Sequence, residues 1–211
     1  MVDAYLRQSP LAHLHLDARV AGDAGTDDAG IILAEKAHLG QFVLRGDAGN
    51  KAFRDAVKKA LKIDVPRTPN TVNGTAKSTR VIWQGPDEWL VVTNPIAGAK
   101  TGKALVSALK NLHTAVTDVS ESRTVIHLAG VEARNVVMKG CSIDIHPRVF
   151  GPGQCAETTL ALAHVLIHQT SLNKTTGHPA YDIYVHRSFA EYLWNWLEYA
   201  GREYGVQVVP G

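Results

Sequence analysis

The stretch KGCSIDIHPRVF at residues 139–150 brings a thiol, an imidazole and a carboxylate close together along the chain. Cysteine and histidine together form thiol nucleophiles, and both are common metal ligands. In an extended segment alternate side chains point to opposite faces, which separates Cys141 from Asp144 and His146. Cys141 also follows a predicted helix end, where the helix dipole disfavours a thiolate. The spacing therefore predicts a buried thiol rather than a nucleophile.

Histidine pairs elsewhere in the chain suggest a second kind of site, a metal centre. His164 and His168 share one face of a predicted strand but lie about 13 Å apart at the usual rise per residue. The ligands of one ion each lie about 2 Å from it, so this pair cannot bind a common metal. His13 and His15 lie in a weakly apolar N-terminal stretch and are expected to be solvated. The sequence thus predicts no metal site.

Two further patterns resemble known motifs without satisfying them. GAKTGK at residues 98–103 lacks a spacer residue and the hydroxyl of a phosphate-binding P-loop, and it predicts the start of a helix. Ser120 and Ser122 in DVSESR lack the glycine frame of a nucleophile elbow, and Ser120 is expected to bond backbone at a strand end. The spacing reveals no self-contained catalytic set, so the chain itself is expected to be non-catalytic.

Composition limits the class of protein. The chain has 211 residues, of which 45% are hydrophobic and 20% charged, with a formal net charge of +2. These values are ordinary for a soluble globular protein, and the small charge argues against nucleic acid as a partner. The two cysteines, Cys141 and Cys155, are expected to be free thiols. No signal peptide pattern and no membrane-spanning apolar run is present, so a cytoplasmic location and no membrane partner are expected.

Strand and helix patterns alternate along the chain and must position these residues. Residues 1–29 end in a small, acidic, glycine-rich run and are predicted to be a flexible N-terminal segment. Residues 30–113 predict a first lobe, with two paired strands that flank Gly40, two more strands joined by a turn at Pro86 and Asp87, and two helices. The apolar face of the first helix consists of Phe53, Ala56, Val57, Ala60 and Leu61. Residues 114–211 repeat this theme as a second lobe, in which a short helix places Ala133, Val136 and Val137 inward. We therefore predict an α+β fold of two similar lobes, each a mainly antiparallel sheet with helices on one side.

The final helix pattern, SFAEYLWNWLEYAGREYG, indicates which side chains face the core. Ser188 and Glu191 form a capping-box pattern at its start. Trp194 and Tyr199 are left on the outward side, where aromatic side chains are typical of partner contacts. The predicted inward stripe consists of Phe189, Leu193, Trp196 and Leu197.

Three longer motifs resemble one known family. They are GPDEWLVV, VTDVSESRTVIHLAGVEARNVVMKGCSIDIHPRVFGPGQCAETTLA and YDIYVHRSFAEYLWNWL. Together they resemble the gamma subunit of bacterial heterotetrameric sarcosine oxidase, over about residues 66–200. That family shares the fold of the glycine-cleavage T-protein, a folate-dependent aminomethyltransferase. The resemblance therefore implies the N-terminal part of that fold.

The resemblance also implies an assembly of four different chains. Such a complex oxidises sarcosine to glycine with oxygen, passes the one-carbon unit to tetrahydrofolate and releases hydrogen peroxide. FAD, FMN, NAD, zinc and tetrahydrofolate would belong to the partner chains, and this chain would carry no cofactor. The implied partners are the alpha, beta and delta subunits, chiefly alpha, and the implied role is structural.

One motif departs from the T-protein pattern. T-protein-like folate sites carry TGEDGYEI, whereas residues 176–183 here read TGHPAYDI. His178 stands where the glutamate that meets the pterin would be, and a neutral imidazole offers one acceptor where a carboxylate accepts two hydrogen bonds. The alternative function is a stand-alone folate-binding or aminomethyltransferase-like protein of the same fold, which predicts affinity for tetrahydrofolate.

A docking subunit needs a contact surface, and five residues are predicted to contribute to it. His146, Arg148 and Phe150 belong to a predicted exposed turn, and Trp194 and Tyr199 to the outward side of the last helix. Arginine offers planar bidentate hydrogen bonding and aromatic rings offer contact area, the usual interface anchors. The residues leave one alternative open, that Arg148 only braces its own loop.

Overall fold

The computed structural model describes residues 6–22, 29–75, 78–172 and 177–211. The chain forms two compact units, each a β-sheet with helices. Unit 1 comprises residues 1–38, 121–152 and 157–211, and unit 2 comprises residues 39–120 and 153–156. The predicted α+β class with mainly antiparallel sheets is confirmed.

Unit 1 is built on a six-stranded sheet. In spatial order its strands are β11 (Val206–Val208), β1 (Ile31–Lys36), β7 (Arg123–Ala129), β10 (Pro179–His186), β9 (Ala163–Leu172) and β8 (Cys155–Leu160). The β1–β11 pair is parallel, whereas β7 pairs antiparallel with β1 and with β10, and β10 pairs antiparallel with β9. The β-branched and aromatic residues of the central strands suit this half-buried, pleated surface.

The helices of unit 1 are α1 (Leu16–Gly22), α4 (Ala133–Met138) and α5 (Arg187–Gly201). Helix α5 packs over β7, β9 and β10, and α4 lies beside α5 and contacts β10. The buried residues Ala133, Val136 and Val137 of α4 are those that the sequence predicts to face inward. A 3-10 turn, Arg202–Tyr204, follows α5 and leads into the edge strand β11.

Unit 2 is built on a five-stranded antiparallel sheet. In spatial order its strands are β3 (Val72–Gly74), β4 (Arg80–Gly85), β5 (Glu88–Thr93), β2 (Gly40–Arg45) and β6 (Ala115–Asp118). Its two helices, α2 (Lys51–Leu61) and α3 (Gly98–Leu109), pack against each other. The β4–β5 hairpin turns at Pro86 and Asp87, as the sequence predicts.

The core of unit 2 is apolar and centred on one tryptophan. Trp89 is fully buried, its ring centroid lies 5.5 Å from that of Phe53, and its Nε1 donates to the Pro66 carbonyl at 2.8 Å. A buried indole N–H usually finds such an acceptor, because an unpaired buried donor costs free energy. Asn50 is the N-cap of helix α2, and its side chain accepts a hydrogen bond from the Ala52 amide.

The pairing predicted for the two strands that flank Gly40 is wrong. Strand β1 pairs with β7 and β11 in unit 1, whereas β2 pairs with β5 and β6 in unit 2. For the same reason the two units differ in their bounds from the predicted lobes 30–113 and 114–211, because β1 joins unit 1 and β6 joins unit 2. Of the predicted flexible segment 1–29, residues 1–5 and 23–28 lie outside the described residues, and α1 lies within it.

Candidate functional site

The predicted interface turn is held by its own hydrogen bonds. Asp144 Oδ1 accepts from the His146 amide at 2.8 Å, and His146 Nδ1 accepts from the Arg148 amide at 3.2 Å. The His146 carbonyl accepts from the Val149 and Phe150 amides at 2.9 Å. His146 and Arg148 are exposed, but Phe150 is only 6% exposed. Phe150 is therefore buried and is not part of the exposed turn that the sequence predicts.

Both cysteines are free thiols, as predicted. Side chains alternate as expected around Cys141, with Ile145 buried on its side and His146 exposed on the other. The Cys141 thiol is half-buried, and its Sγ lies 4.0 Å from Thr158 Oγ1. Cys155 is fully buried in unit 2, with Sγ 3.6 Å from the Thr71 and Trp83 carbonyls. These surroundings are those of packing thiols, since a reactive thiolate needs a cationic or helix N-terminal setting.

A charged set that the sequence reasoning missed lies in the sheet of unit 1. Asp182 is 0% exposed, and its Oδ1 lies 2.6 Å from Lys36 Nζ and 2.7 Å from His127 Nδ1. His127 and Asp182 are direct partners across the β7–β10 pair. A carboxylate only accepts hydrogen bonds, so the bond from His127 requires its proton on Nδ1. Lys36 Nζ then supplies the positive charge that a buried carboxylate needs.

The Asp182 carboxylate of this set is engaged. It accepts from Lys36 and from His127 through the same oxygen, so it is not a free base. With its proton on Nδ1, His127 keeps a lone pair on Nε2. A partial signal for the set was present in the sequence, because His127 and Asp182 each interrupt an apolar run, whereas Lys36 only ends one. Only the strand register brings them together.

The motif that departs from the T-protein pattern offers no carboxylate like the one used there. Thr176 lies outside the described residues, and His178 lies just before β10. The nearest carboxylate in the motif, Asp182, is buried and bound to Lys36 and His127. The motif therefore differs from the T-protein pattern at the position of its glutamate.

The faces of α5 differ from those predicted. Trp194 is 0% exposed and belongs to the buried face, so the prediction that it lies on the outward side of the helix is wrong. The predicted inward residue Phe189 is exposed, and Trp196 is half-buried. The buried face of α5 consists of Ala190, Leu193, Trp194, Leu197, Ala200 and Gly201. The predicted capping box does not form either, because His186 is the N-cap and Glu191 Oε2 instead lies 3.2 Å from His13 Nε2.

One flank of α5 is aromatic. Phe189, Tyr192 and Tyr199 are 43%, 37% and 72% exposed, and Trp196 lies between them on the same flank. We call these four residues the aromatic flank. Its Tyr199 is the one residue of the predicted α5 contacts that the structure leaves on the surface.

The aromatic flank borders a depression of about 520 Å³ at the end of α5. Lys139 Nζ donates to the Ala200 carbonyl and to Glu203 Oε1 beside it. The hydrogen bond between them raises the pKa of Lys139 and lowers that of Glu203. Both groups are therefore charged at neutral pH and tie the end of α4 to the turn after α5. The depression is lined by Lys139, Trp196, Tyr199, Ala200, Arg202 and Glu203.

Two classes of site are absent from the part of the chain that the structure describes. No group of three or more His, Cys, Asp or Glu side chains there is placed to hold a metal ion. Among the same residues, no helix has the length and apolarity needed to cross a membrane.

Comparison with known proteins identifies the family. A model of the sarcosine oxidase gamma subunit family matches residues 45–203. The sarcosine oxidase subunit gamma of Corynebacterium sp. (strain P-1) is 33% identical over 204 residues, which cover 97% of this chain and 94% of that protein. The aminomethyltransferase T of the Bartonella henselae glycine cleavage system is 15% identical with a TM-score of 0.72 over 97% of this chain and 59% of its own. This last likeness shows the fold alone.

A solved structure agrees with the sequence comparison. A chain of the heterotetrameric sarcosine oxidase from Corynebacterium sp. U-96, in complex with pyrrole 2-carboxylate, superposes with a TM-score of 0.82 at 32% identity. The superposition covers 94% of this chain and 96% of that one. The predicted resemblance is thus confirmed, and the chain belongs to the sarcosine oxidase gamma subunit family.

Proposed function

We propose that this chain is the gamma subunit of a heterotetrameric sarcosine oxidase and that it has a structural, non-catalytic role in that complex. The observation that carries the proposal is the likeness to gamma subunits over nearly the whole of both chains. A fold alone would not support it, because one fold serves many functions.

The chemistry of the described side chains supports a structural role. Asp182 accepts from Lys36 and His127, and Glu203 accepts from Lys139. His146 is engaged in its own turn. A catalytic set instead directs a base, a nucleophile and their orienting group toward a place where substrate can sit.

The cofactors of the reaction would lie on the other chains. In this proposal FAD, FMN, NAD, zinc and tetrahydrofolate bind to the partner subunits, and the chain contacts the alpha subunit chiefly, with beta and delta completing the complex. The engaged Asp182 carboxylate and the histidine at position 178 support the absence of a folate site here.

Co-expression tests the proposal. The tagged chain, expressed with candidate alpha, beta and delta chains, should retain all three on purification. The purified complex should produce peroxide from sarcosine, and the chain alone should not. Failure to retain the other chains, or turnover by the chain alone, would contradict the proposal. Calorimetric binding of tetrahydrofolate to the isolated chain would instead favour the folate-binding alternative.

A further inference from the structure

We propose that the aromatic flank of α5 is the docking site for an amphipathic helix of a different chain, and that this helix presents a carboxylate to Arg202. The inference rests on the proposed function in one respect only, that the chain works beside partner chains.

The spacing of the flank favours a helix as the occupant. Phe189, Tyr192, Trp196 and Tyr199 follow one another at intervals of three, four and three residues. This is the spacing of residues along a helix–helix seam, and over ten residues it extends for about 15 Å. A strand would present side chains at a different period and would match few of these positions.

The flank is held in place from beneath. The Tyr192 hydroxyl accepts from the Leu162 amide at 3.3 Å. The Trp196 indole lies over Gly140, where a Cβ would come within 2.6 Å of the ring. Leu162, in the turn between β8 and β9, is itself 77% exposed beside Tyr192. Ordered aromatic rings lose little conformational entropy on binding, so such a surface favours association.

The opposite flank of α5 makes ion-pair contacts within this chain. Glu191 lies 3.2 Å from His13, and Glu198 pairs with Arg19, so residues 13–19 lie along that side. The two flanks differ in chemistry, since one carries carboxylates and the other four aromatic rings. Exposed aromatic clusters are typical of partner surfaces, whereas scattered apolar side chains are not.

The charge at the end of the flank indicates what the occupant carries. Arg202 lies over the Tyr199 ring, 5.6 Å from its centroid. Lys139, the neighbouring cation, pairs with Glu203, while Arg202 has no carboxylate partner within the described residues. An arginine stacked on an aromatic ring keeps its planar N–H edge free for a carboxylate. The occupant should therefore carry aspartate or glutamate beside its apolar stripe.

The first test removes the apolar contact area. In the co-expressed complex, Phe189→Ser combined with Tyr199→Ser should reduce retention of the partner chains at least about tenfold, the loss expected for two interface anchors. The isolated chain should keep its melting temperature, because both side chains are exposed. Ile96→Ser is the matched control, since it removes a 97% exposed apolar side chain from unit 2. Equal losses from the variant and the control would overturn the assignment.

The second test addresses the carboxylate. Arg202→Glu should weaken retention more than Arg202→Gln, because only the former repels a carboxylate. Equal retention by wild type and Arg202→Glu would overturn the predicted charge.

Hydroxyl-radical footprinting should show Tyr192 and Tyr199 protected in the complex and reactive in the isolated chain. If the wild-type complex forms with both tyrosines still reactive, the docking site is elsewhere and the proposed function stands.

A second copy of this chain is the competing occupant. Light scattering should find the isolated chain monomeric. A dimer that the Phe189→Ser and Tyr199→Ser changes dissociate would assign the flank to self-association and overturn the inference. If the wild-type chain retains no partners at all, the proposed function fails first, so the two failures are distinguishable.

Discussion

Helices α2 and α5 each pack on the sheet of their own unit, but the chemistry of their exposed faces differs. Helix α2 buries Phe53 and Val57 and exposes lysines, two of which pair with carboxylates, Lys51 with Asp55 and Lys58 with Asp64. Helix α5 buries a broader face and exposes aromatic rings on one flank. A lysine-covered face is stable in water, whereas exposed rings gain free energy only when another surface covers them. The contrast supports the proposal that unit 1 docks through α5 while α2 faces solvent.

The sheets beneath these helices both bury charge, but in different surroundings. Unit 2 packs Trp89, Val91 and other apolar side chains in its core and buries Arg80 on β4. Unit 1 buries Asp182 within its sheet, where Lys36 neutralises it. Removing one member of a buried charge set leaves the other uncompensated, whereas an apolar core responds to lost volume. Substitution of Asp182 should therefore affect unit 1 strongly.

The largest effect is expected from Asp182→Ala. The change leaves Lys36 and His127 without their shared acceptor, and breaking a buried pair costs about 3–5 kcal/mol of unfolding free energy. Urea unfolding of the isolated chain measures it. Lys36→Met should also be strongly destabilising, because the fully buried Asp182 carboxylate then keeps only the hydrogen bond from His127 and loses its counter-ion. Loss of less than about 1 kcal/mol from both variants would contradict the account of the set.

The next effect is expected at the contact between α4 and α5. Gly140→Ala places a Cβ within 2.6 Å of the Trp196 ring and should destabilise the chain by about 1–3 kcal/mol through overpacking. Gly153→Ala in unit 2 is the control, since it has a positive φ of 81° but no atom within 4 Å of the added Cβ. Thermal unfolding compares the two. A greater loss from Gly153→Ala would show that backbone strain outweighs the packing of Trp196.

The sequence predicts much of this contrast but not all of it. The period of α2, the β4–β5 hairpin and the inward residues of α4 follow from local patterns. The buried and exposed faces of α5 do not follow from a local pattern, because Leu193 and Leu197 fit two alternative apolar faces equally well. One stripe includes Trp196, and the observed one includes Trp194 together with Ala190 and Ala200, whose small side chains add little to a hydrophobic pattern.

Long-range pairing also lies beyond local patterns. Strands β1 and β2 are adjacent in sequence and look alike as apolar runs, yet each finds its partner far along the chain. The Lys36, His127 and Asp182 set depends on that pairing, since residues 91 and 55 positions apart meet only through register. A local pattern can show that a polar residue is unusual in its strand, but it cannot predict which distant residues contact one another.

A moderate effect on assembly, without one on folding, is expected from Arg148→Ala. The Arg148 side chain is exposed. The turn is held by backbone amides that donate to the Asp144 and His146 side chains, and the substitution leaves these hydrogen bonds intact. Retention of partner chains should therefore fall while the melting temperature stays the same. A lowered melting temperature with unchanged retention would show that Arg148 braces its own loop. Lys59→Ala on α2 should change neither quantity if that helix is solvated.

The smallest effect concerns acid stability, where α2 and α5 should behave alike. Hydrogen bonding to Lys51 lowers the pKa of Asp55 from its ordinary 3.8, and hydrogen bonding to Lys139 lowers that of Glu203 from its ordinary 4.5. A carboxyl group with a lowered folded-state pKa stabilises the fold above its unfolded value, and this stabilisation is lost as the pH falls through the folded-state pKa. Both pairs are exposed and screened by solvent, so each contribution is small. Below about pH 4.5, the melting temperature of Asp55→Asn and of Glu203→Gln should therefore fall slightly less steeply with pH than that of the wild type, and to a similar extent. Thermal unfolding at several pH values measures this. A much larger flattening from Glu203→Gln would mean that the Lys139 contact also orders the end of α5, and with it the surface on which Tyr199 stands.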